Sequence, residues 1–473
     1  MNGCGGMQHL RRPELWTFVT VLIFGGILAL MIPPAYGQDE PVHMMRIWQI
    51  AHGQSVGHDV SGSDAFESLF GFSTGPAWGG ATELSVIRLI KAVHLYPLSW
   101  SQMVPSEHAS QIDWSAVWSL PSHEAVVDAG FYNVAIYSPI AYLPQTFTVM
   151  TGTAIGLPVV AIVYLARLAG VIFSAGAAAL SVRLAGGASA TVLAVIACLP
   201  VTVAQSAVLG ADAVVNSLAL LSVALVIRSI RAESDAHAWN ASVWAGVALT
   251  ALVLSKSAYA PLTALLIVVP LARRARSRTW VWLSVSGAAL AVLPAVLWQT
   301  VVNAGAPNAY QGEVGLHQKL DRLVNDPLGV LTASVRTWID PLSLQQIGEQ
   351  FAGSAMWNSV RAPLWTLVVL GLLLGVSYGL HTVTHSFPLP ASVAVAGIAI
   401  ATLGIVTLSM YIAFAPVDAE IVTGVQGRYL IPIAALTALP VVFRSQRGSS
   451  MVIALTGVAA LTAAFTAEVA YTL

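Results

Sequence analysis

Eleven apolar runs constrain the fold of this chain more than any other feature. A transmembrane helix needs about 20 consecutive apolar residues. Charged residues make up only 9% of the chain, whereas a soluble domain carries about a quarter. We therefore predict an all-α polytopic membrane protein with about 11 transmembrane helices. The runs are residues 15–34, 157–182, 191–209, 216–230, 242–254, 258–272, 280–302, 364–380, 391–416, 429–443 and 451–471.

Arginines in the short loops indicate which loops face the cytoplasm, because cytoplasmic loops carry an excess of Lys and Arg. The run 133–150 is interrupted by Pro139 and Pro144. If it crossed the membrane, every later loop would change side, so we interpret it as a re-entrant or interfacial helix. The arginine-rich loops are then cytoplasmic. Their arginines are Arg183, Arg228, Arg231, Arg273, Arg274, Arg276, Arg278, Arg444 and Arg447.

This topology divides the chain into five parts and places two polar segments, containing short helices, outside the cell. The predicted parts are a cytoplasmic N-terminus with the first transmembrane helix (1–34), a first extracytoplasmic loop with an acidic motif and the interfacial helix (35–156), transmembrane helices (157–302), a second extracytoplasmic loop (303–363) and C-terminal transmembrane helices (364–473).

Several classes of protein find no support in the sequence. The chain has a net charge of −1 and two cysteines, Cys4 and Cys198. It contains no basic stripe, no paired cysteine spacing and no phosphate-binding glycine loop. We expect no nucleic-acid partner, no disulfide framework and no ATP-driven step.

A short polar motif follows the first apolar run, in the sequence PPAYGQDEPVHMMR. Asp39, His43 and Arg46 are spaced at i, i+4 and i+7, which places them on one face of a helix. Asp39 and Glu40 stand where that helix would begin. They can simply cap it, or they can do chemistry at the membrane surface.

Further charges occupy positions where apolar residues are expected. Arg167 lies inside the run 157–182, where a charge costs roughly 2.5–3.5 kcal/mol on insertion scales. It either reaches the interface or has a partner or ligand. Lys256 lies in a short turn on the predicted outer side, where it can anchor the chain or bind a phosphate. Asp212 begins a run and can cap it.

The sequence Gln426-Gly-Arg428-Tyr429 opens the tenth apolar run. Arg428 can pair with Asp418 or Glu420, or bind a phosphate through two parallel bonds. With the motif at Asp39, these positions put cations and carboxylates together at the outer membrane face. Such a set suits a polar group joined to a lipid through phosphate. A carboxylate would then deprotonate an acceptor hydroxyl or hold a divalent metal.

The motifs PPAYGQDEPVH, YSPIAYLPQ, YLARL, SKSAYAP and GVQGRYLIP resemble those of the bacterial membrane family called domain of unknown function 2142. The resemblance covers most of the chain, in the same order. That family resembles the GT-C glycosyltransferases, which use polyprenyl-phosphate sugars and carry an acidic motif in the first outer loop. The resemblance implies a GT-C-like fold, although this chain lacks the Asp-x-Asp and Trp-Trp-Asp motifs of the best-known members.

We accordingly expect a cell-envelope glycosyltransferase in the bacterial inner membrane, with an extracytoplasmic active face. It would move a sugar from a polyprenyl-phosphate donor to a glycan or lipid acceptor. Asp39 and Glu40 would be catalytic or would hold Mg²⁺ or Mn²⁺. Arg167, Lys256 and Arg428 would bind the donor phosphate, supported by His43, Arg46, Asp212, Gln426 and Tyr429. The alternatives are a transporter or flippase of a lipid-linked sugar and a non-catalytic envelope assembly protein.

Overall fold

A computed structural model describes residues 12–70, 77–93, 112–275, 277–306, 316–379, 386–444 and 448–473. This part of the chain is mostly helical. The N-terminal half contains α1 (Pro13–Met31), α2 (Glu40–Ala51), α3 (Ala65–Phe70), α4 (Leu84–Val93), α5 (Trp114–Ser119), α6 (Tyr132–Ala135), α7 (Leu143–Ala154), α8 (Val159–Ala185), α9 (Gly187–Ala197), α10 (Pro200–Ser206) and α11 (Asp212–Arg231).

The C-terminal half contains α12 (Asp235–Ser255), α13 (Leu265–Ala272), α14 (Arg278–Leu297), α15 (Leu316–Asn325), α16 (Pro327–Thr337), α17 (Pro341–Ala352), α18 (Trp365–Gly379), α19 (Leu389–Ala413), α20 (Ile431–Ala434) and α21 (Gly448–Thr472). Short 3₁₀ helices cover Pro139–Tyr142, Ser257–Ala264, Gly427–Leu430 and Ala435–Ala438, and a π-helix covers Trp298–Val302.

Seven of the described helices are long and apolar enough to cross a membrane, or eight if α9 and α10 form one bent span. The predicted number of eleven spans is therefore not confirmed. Proline accounts for much of the difference, since it removes a helical hydrogen bond and clashes with the preceding turn. Pro200 begins α10 at a bend of 63°. Pro261 and Pro270 lie within the short segment Ser257–Ala272, and Pro432 lies in a run divided into short helices.

Arginines gather at one end of the helix bundle. Arg231 ends α11 and donates to the carbonyl of Ala185, 2.7 Å away, at the end of α8. Arg273 donates to the carbonyl of Ala232 at 2.6 Å. Asp212 stands at the other end of α11, about 30 Å away for a helix of this length. The bundle therefore has an arginine-rich end and, opposite, an end where Asp212 lies.

Small sheets occur in the two polar segments. Strands β1 (His58–Asp59), β2 (Trp78–Glu83) and β3 (Val126–Gly130) form an antiparallel sheet in which Gly79 lies opposite Gly130. The second polar segment contains the hairpin of β4 (Ser354–Ala355) and β5 (Val360–Arg361).

The run 133–150, for which we predict a re-entrant or interfacial helix, is divided between α6, the 3₁₀ helix Pro139–Tyr142 and α7. The twelve residues of α7 extend about 18 Å, which is too short to cross a bilayer core. Leu143, Phe147 and Met150 are exposed along one side, whereas Gln145 and Val149 are buried on the other. This arrangement suits a helix whose exposed side contacts lipid at the membrane surface.

Candidate functional site

A cavity of about 440 Å³ opens at the end of the bundle that contains Asp212. Its walls come from distant parts of the chain: the start of α2, the segment around α6, the start of α11, the turn after α12, the end of α19 and the turn before α20. The charged lining residues are Asp39, Asp212, Lys256 and Arg428. Sequence reasoning selected all four, and the structure brings them together.

Asp39 has the left-handed backbone conformation, with φ of 57°. Few residues other than glycine adopt it, although Asp and Asn tolerate it better than most. Instead of capping α2, the Asp39 carboxylate accepts a bond of 2.6 Å from Nη2 of Arg428. The Asp39 side chain therefore does not cap the helix. It pairs with a cation in the wall of the cavity.

Arg428 joins two carboxylates. Its Nη2 contacts Asp39, and its Nη1 lies 3.3 Å from Oδ2 of Asp212 and 3.3 Å from Oε1 of Gln205. It does not pair with Asp418 or Glu420 within the described residues. Its Nε is buried without a hydrogen-bond partner among them. The guanidinium is thus almost buried, and one of its donors has no partner among the described residues.

Lys256 completes the row of charges. Its Nζ donates to Oδ1 of Asp212 at 3.1 Å and lies 4.3 Å from the ring centre of Tyr429. A cation held over an aromatic face is stabilised by the ring's quadrupole. Asp39, Arg428, Asp212 and Lys256 therefore alternate in sign, as one continuous set that we call the charge row.

The remaining walls are mixed. Tyr132, Asn133, Tyr137 and Gln426 supply polar groups. The end of α19 supplies a largely apolar wall, formed by Ser409, Met410, Ile412, Ala413 and Phe414. A cavity lined by both charged and apolar residues can accept an amphipathic ligand.

His43 lines the cavity beside the charge row. Its Nδ1 lies 2.9 Å from the hydroxyl of Tyr142, which fixes the orientation of the ring. Burial lowers the pKa of His43 to about 4, although the nearby carboxylates of Asp39 and Asp212 act in the opposite direction. The imidazole is therefore neutral at physiological pH.

Glu40 and Arg167 lie apart from the cavity lining. They form an ion pair with each other, and both side chains are fully buried, with 0% exposure. The Glu40 carboxylate also accepts backbone N–H bonds from Gly37 and Leu209, each of 2.9 Å. Arg167 in turn donates to carbonyls of the loop after α1, including that of Pro33 at 2.8 Å. These contacts fix the loop that carries Asp39.

Arg46 is also engaged in structural contacts. It donates to the carbonyls of Ser55 and Tyr137, at 2.8 and 2.6 Å, and to the amide oxygen of Gln49. Burial lowers the pKa of Arg46 to about 10, so it remains charged at neutral pH. It connects α2 to the cavity wall at Tyr137.

Comparison with known proteins gives one result. Residues 22–437 match the family described as predicted membrane protein DUF2142. The chain belongs to this family. No curated protein and no solved structure matches. The DUF2142 match includes every residue of the charge row and every lining residue of the cavity.

Some residues of the candidate site were not predicted from the sequence. Gln205 accepts from Arg428, and Gln350 accepts a 3.0 Å bond from the backbone N–H of Gly427. Asn133 and Tyr137 line the cavity. Uncharged polar residues are common throughout the chain, so a single sequence has no signal that distinguishes these four.

The expected metal was assigned to Asp39 and Glu40. In the structure, Glu40 uses both carboxylate oxygens to accept bonds from Arg167 and from backbone N–H groups. The two acids therefore do not form a free pair of oxygen ligands. Among the described residues, no group of three or more His, Cys, Asp and Glu side chains is arranged to hold a metal ion.

Proposed function

We propose that this protein transfers a sugar from a polyprenyl-phosphate donor to a cell-envelope glycan or lipid acceptor. The observation that supports this proposal is the charge row: two cations and two carboxylates line one cavity, whose wall also includes the largely apolar end of α19. Such a cavity matches a ligand with a lipid chain, a phosphate and an attached polar group.

In this proposal Arg428 and Lys256 bind the donor phosphate. Arginine offers a planar fork and lysine a compact charge, and both are common phosphate ligands. Nε of Arg428 has no hydrogen-bond partner among the described residues but is buried, so in this proposal the phosphate contacts Nη1 and Nη2. A phosphate at Arg428 competes with Asp39 for the same guanidinium, because Nη2 now contacts that carboxylate.

Asp39 would then serve as the general base. The acceptor oxygen attacks the anomeric carbon, and the proton of its hydroxyl passes to the Asp39 carboxylate. The bond between the anomeric carbon and the phosphate oxygen breaks, and polyprenyl phosphate leaves with the electron pair. Arg428 and Lys256 stabilise the charge that develops on this leaving group. Attack opposite the phosphate inverts the anomeric configuration.

Glu40, Arg167 and Arg46 take a different part in this proposal from the one expected from the sequence. We assign them to positioning Asp39 and the cavity wall, because their charged groups are bonded to the protein itself. His43 stays neutral beside the charge row and orients its neighbours.

We also propose that the cavity faces outward from the inner membrane of a bacterium. The arginine-rich end of the bundle lies opposite the cavity end of α11. Short loops rich in arginine remain in the cytoplasm. The acceptor would therefore be an extracytoplasmic component of the cell envelope.

Lipid analysis of a deletion strain tests this function. We expect a polyprenyl-phosphate sugar to accumulate and an envelope glycan to lack one residue. The wild-type gene should restore the profile and Asp39→Asn should not. Asp326→Asn is the matched control, because that carboxylate caps α16 through the backbone N–H of Gly329. An unchanged lipid and glycan profile in the deletion strain contradicts the proposal. Full restoration by Asp39→Asn favours the transporter alternative.

A further inference from the structure

Helices α15, α16 and α17, and the turn after α16, carry apolar side chains that no described part of the protein covers. These side chains are 49–77% exposed. The three on α16 are spaced three or four residues apart, which is the spacing of one helix face; one precedes them on α15 and two follow them, in the turn and at the start of α17. We call this set the apolar stripe. It consists of Val324, Leu328, Leu331, Val335, Ile339 and Leu342.

The opposite side of α16 is also apolar, but it is buried. Val330 and Ala333 pack with Tyr411, Ala415 and Val422 in a small separate core. Helix α16 therefore has one apolar side that packs on the protein and a second that does not. The packing against α19 fixes the direction in which the apolar stripe points.

Helix α16 packs beside the last turns of α19. Trp338, the residue after α16, donates from Nε1 to the hydroxyl of Thr407 at 3.0 Å. Thr407 is six residues before Ala413, where the membrane-spanning helix α19 ends. Six residues of α-helix correspond to about 9 Å. Helices that lie in a membrane interface bury their apolar side by roughly 5–10 Å, which is similar to this distance from the end of α19.

The neighbouring helix α15 is fixed at the end of the same span. Lys319 donates to the carbonyl of Ile412 at 2.8 Å, and Arg322 donates to the carbonyl of Val417. Cations are favoured at a helix C-terminus, where the last carbonyls lack partners. These bonds place α15 at the end of α19, whereas α16 lies alongside the last turns of α19.

We propose that the apolar stripe is embedded in the lipid leaflet on the cavity side of the membrane. The lipid acyl chains are the partner, and α15 to α17 form an interfacial layer beside α19. Helix α19 is itself long and apolar enough to span a membrane and exposes apolar side chains such as Ile405. This inference does not depend on the proposed transfer reaction.

Helix α17 connects the proposed interfacial layer to the candidate site. A Cβ atom on Gly427 would collide with the backbone of α17 at Phe351, and Gln350 of α17 accepts the N–H of Gly427. The next residue is Arg428. The interfacial layer is thus packed, through α17, directly against the turn that positions the guanidinium of Arg428 in the charge row.

Depth-dependent fluorescence quenching tests the proposal. The full chain, with Cys4→Ser and Cys198→Ala, receives one new cysteine at a time and a bimane label in phosphatidylcholine nanodiscs. Leu331→Cys and Ile339→Cys report on the stripe. Gln318→Cys is the matched control, because it is an exposed polar position of α15 and lies about 120° around the helix from Val324. The nanodiscs contain lipid with a nitroxide near either the headgroup end or the methyl end of the acyl chain.

We expect the headgroup-end nitroxide to quench Leu331→Cys and Ile339→Cys several-fold more than Gln318→Cys. It should also quench them more than the methyl-end nitroxide does. Bimane emission typical of an aqueous environment at the stripe positions, without quenching by the lipid nitroxides, overturns the proposal. Apolar emission without lipid quenching also overturns it, because the stripe would then contact another protein. In that case energy transfer between differently labelled copies identifies a second copy of this chain.

Discussion

Arg167 holds Glu40 through Nε and Nη2, which lie 2.7 and 2.6 Å from the two carboxylate oxygens. Both groups are completely buried. Removing one partner of such a pair leaves an uncompensated buried charge, which destabilises a protein by about 3–5 kcal/mol. We therefore expect Glu40→Gln to lower the melting temperature and the yield of folded protein in detergent. The double variant Glu40→Gln with Arg167→Met should recover part of the loss, and a stable but inactive Glu40→Gln protein would contradict this structural role.

Asp39→Asn should retain the fold and lose transfer. Asparagine tolerates the left-handed backbone that Asp39 adopts, but its amide cannot accept the proton of a hydroxyl. Positioned bases contribute about a hundred- to ten-thousandfold to rate, and we expect a loss in that range. The measurement is sugar transfer in membranes at matched protein level, with and without a chelator. A parent-like rate would remove Asp39 as the base.

Lys256→Gln and Arg428→Gln should weaken binding of polyprenyl phosphate. Each removes one charge-assisted contact, worth about 1.5–3 kcal/mol, or roughly ten- to a hundredfold in affinity. Arg428→Lys should lose affinity as well, because an ammonium cannot replace a planar fork. Binding of polyprenyl phosphate and of the matching polyprenol to purified protein is compared. Equal affinity of the parent protein for both lipids would show that the charge row binds no phosphate.

The stability of the protein should fall in mild acid because of His43. Burial lowers its pKa from 6.5 to about 4. Between these values the unfolded chain binds a proton that the folded protein does not, so the free energy of unfolding rises with pH. At pH 5 the loss is about 2 kcal/mol relative to pH 7. His43→Gln should make melting less sensitive to acid over this interval, whereas His237→Gln, an exposed control, should leave the sensitivity unchanged.

The two ends of the bundle should differ in accessibility from outside the cell. Asp235 belongs to the arginine-rich end, where it pairs with Arg273. Glu420 is exposed near the cavity end, where it pairs with Arg336. A membrane-impermeant thiol reagent should label Glu420→Cys in intact cells and should label Asp235→Cys only after lysis. The reverse pattern would place the cavity in the cytoplasm.

The sequence allowed the charge row to be predicted because charges are rare in an apolar chain. Asp212, Lys256 and Arg428 stand where apolar residues are expected. The predicted topology places all three at the outer membrane face. The partner of Arg167 could not be predicted in this way. A buried cation requires a partner, but Glu40 lies 127 residues away, and only packing of α8 against the loop after α1 brings them together.

Helix continuity was harder to predict than helix existence. Hydropathy alone does not separate a straight span from a bent one. The bend between α9 and α10 and the short helices around Pro432 depend on how proline is accommodated in each packed position. The outer segments were predicted to contain short helices, whereas the strands β2 and β3 depend on pairing between distant residues.

The charge row contains equal numbers of positive and negative groups. Asp39 and Asp212 balance Lys256 and Arg428, and His43 is neutral. The electrostatic potentials of these opposite charges cancel beyond a few ångströms, so the cavity exerts little attraction on anions in solution. Long-range steering of the kind that speeds association in water is weak here. Ligand capture should therefore depend on lateral diffusion within the bilayer and change little with salt concentration.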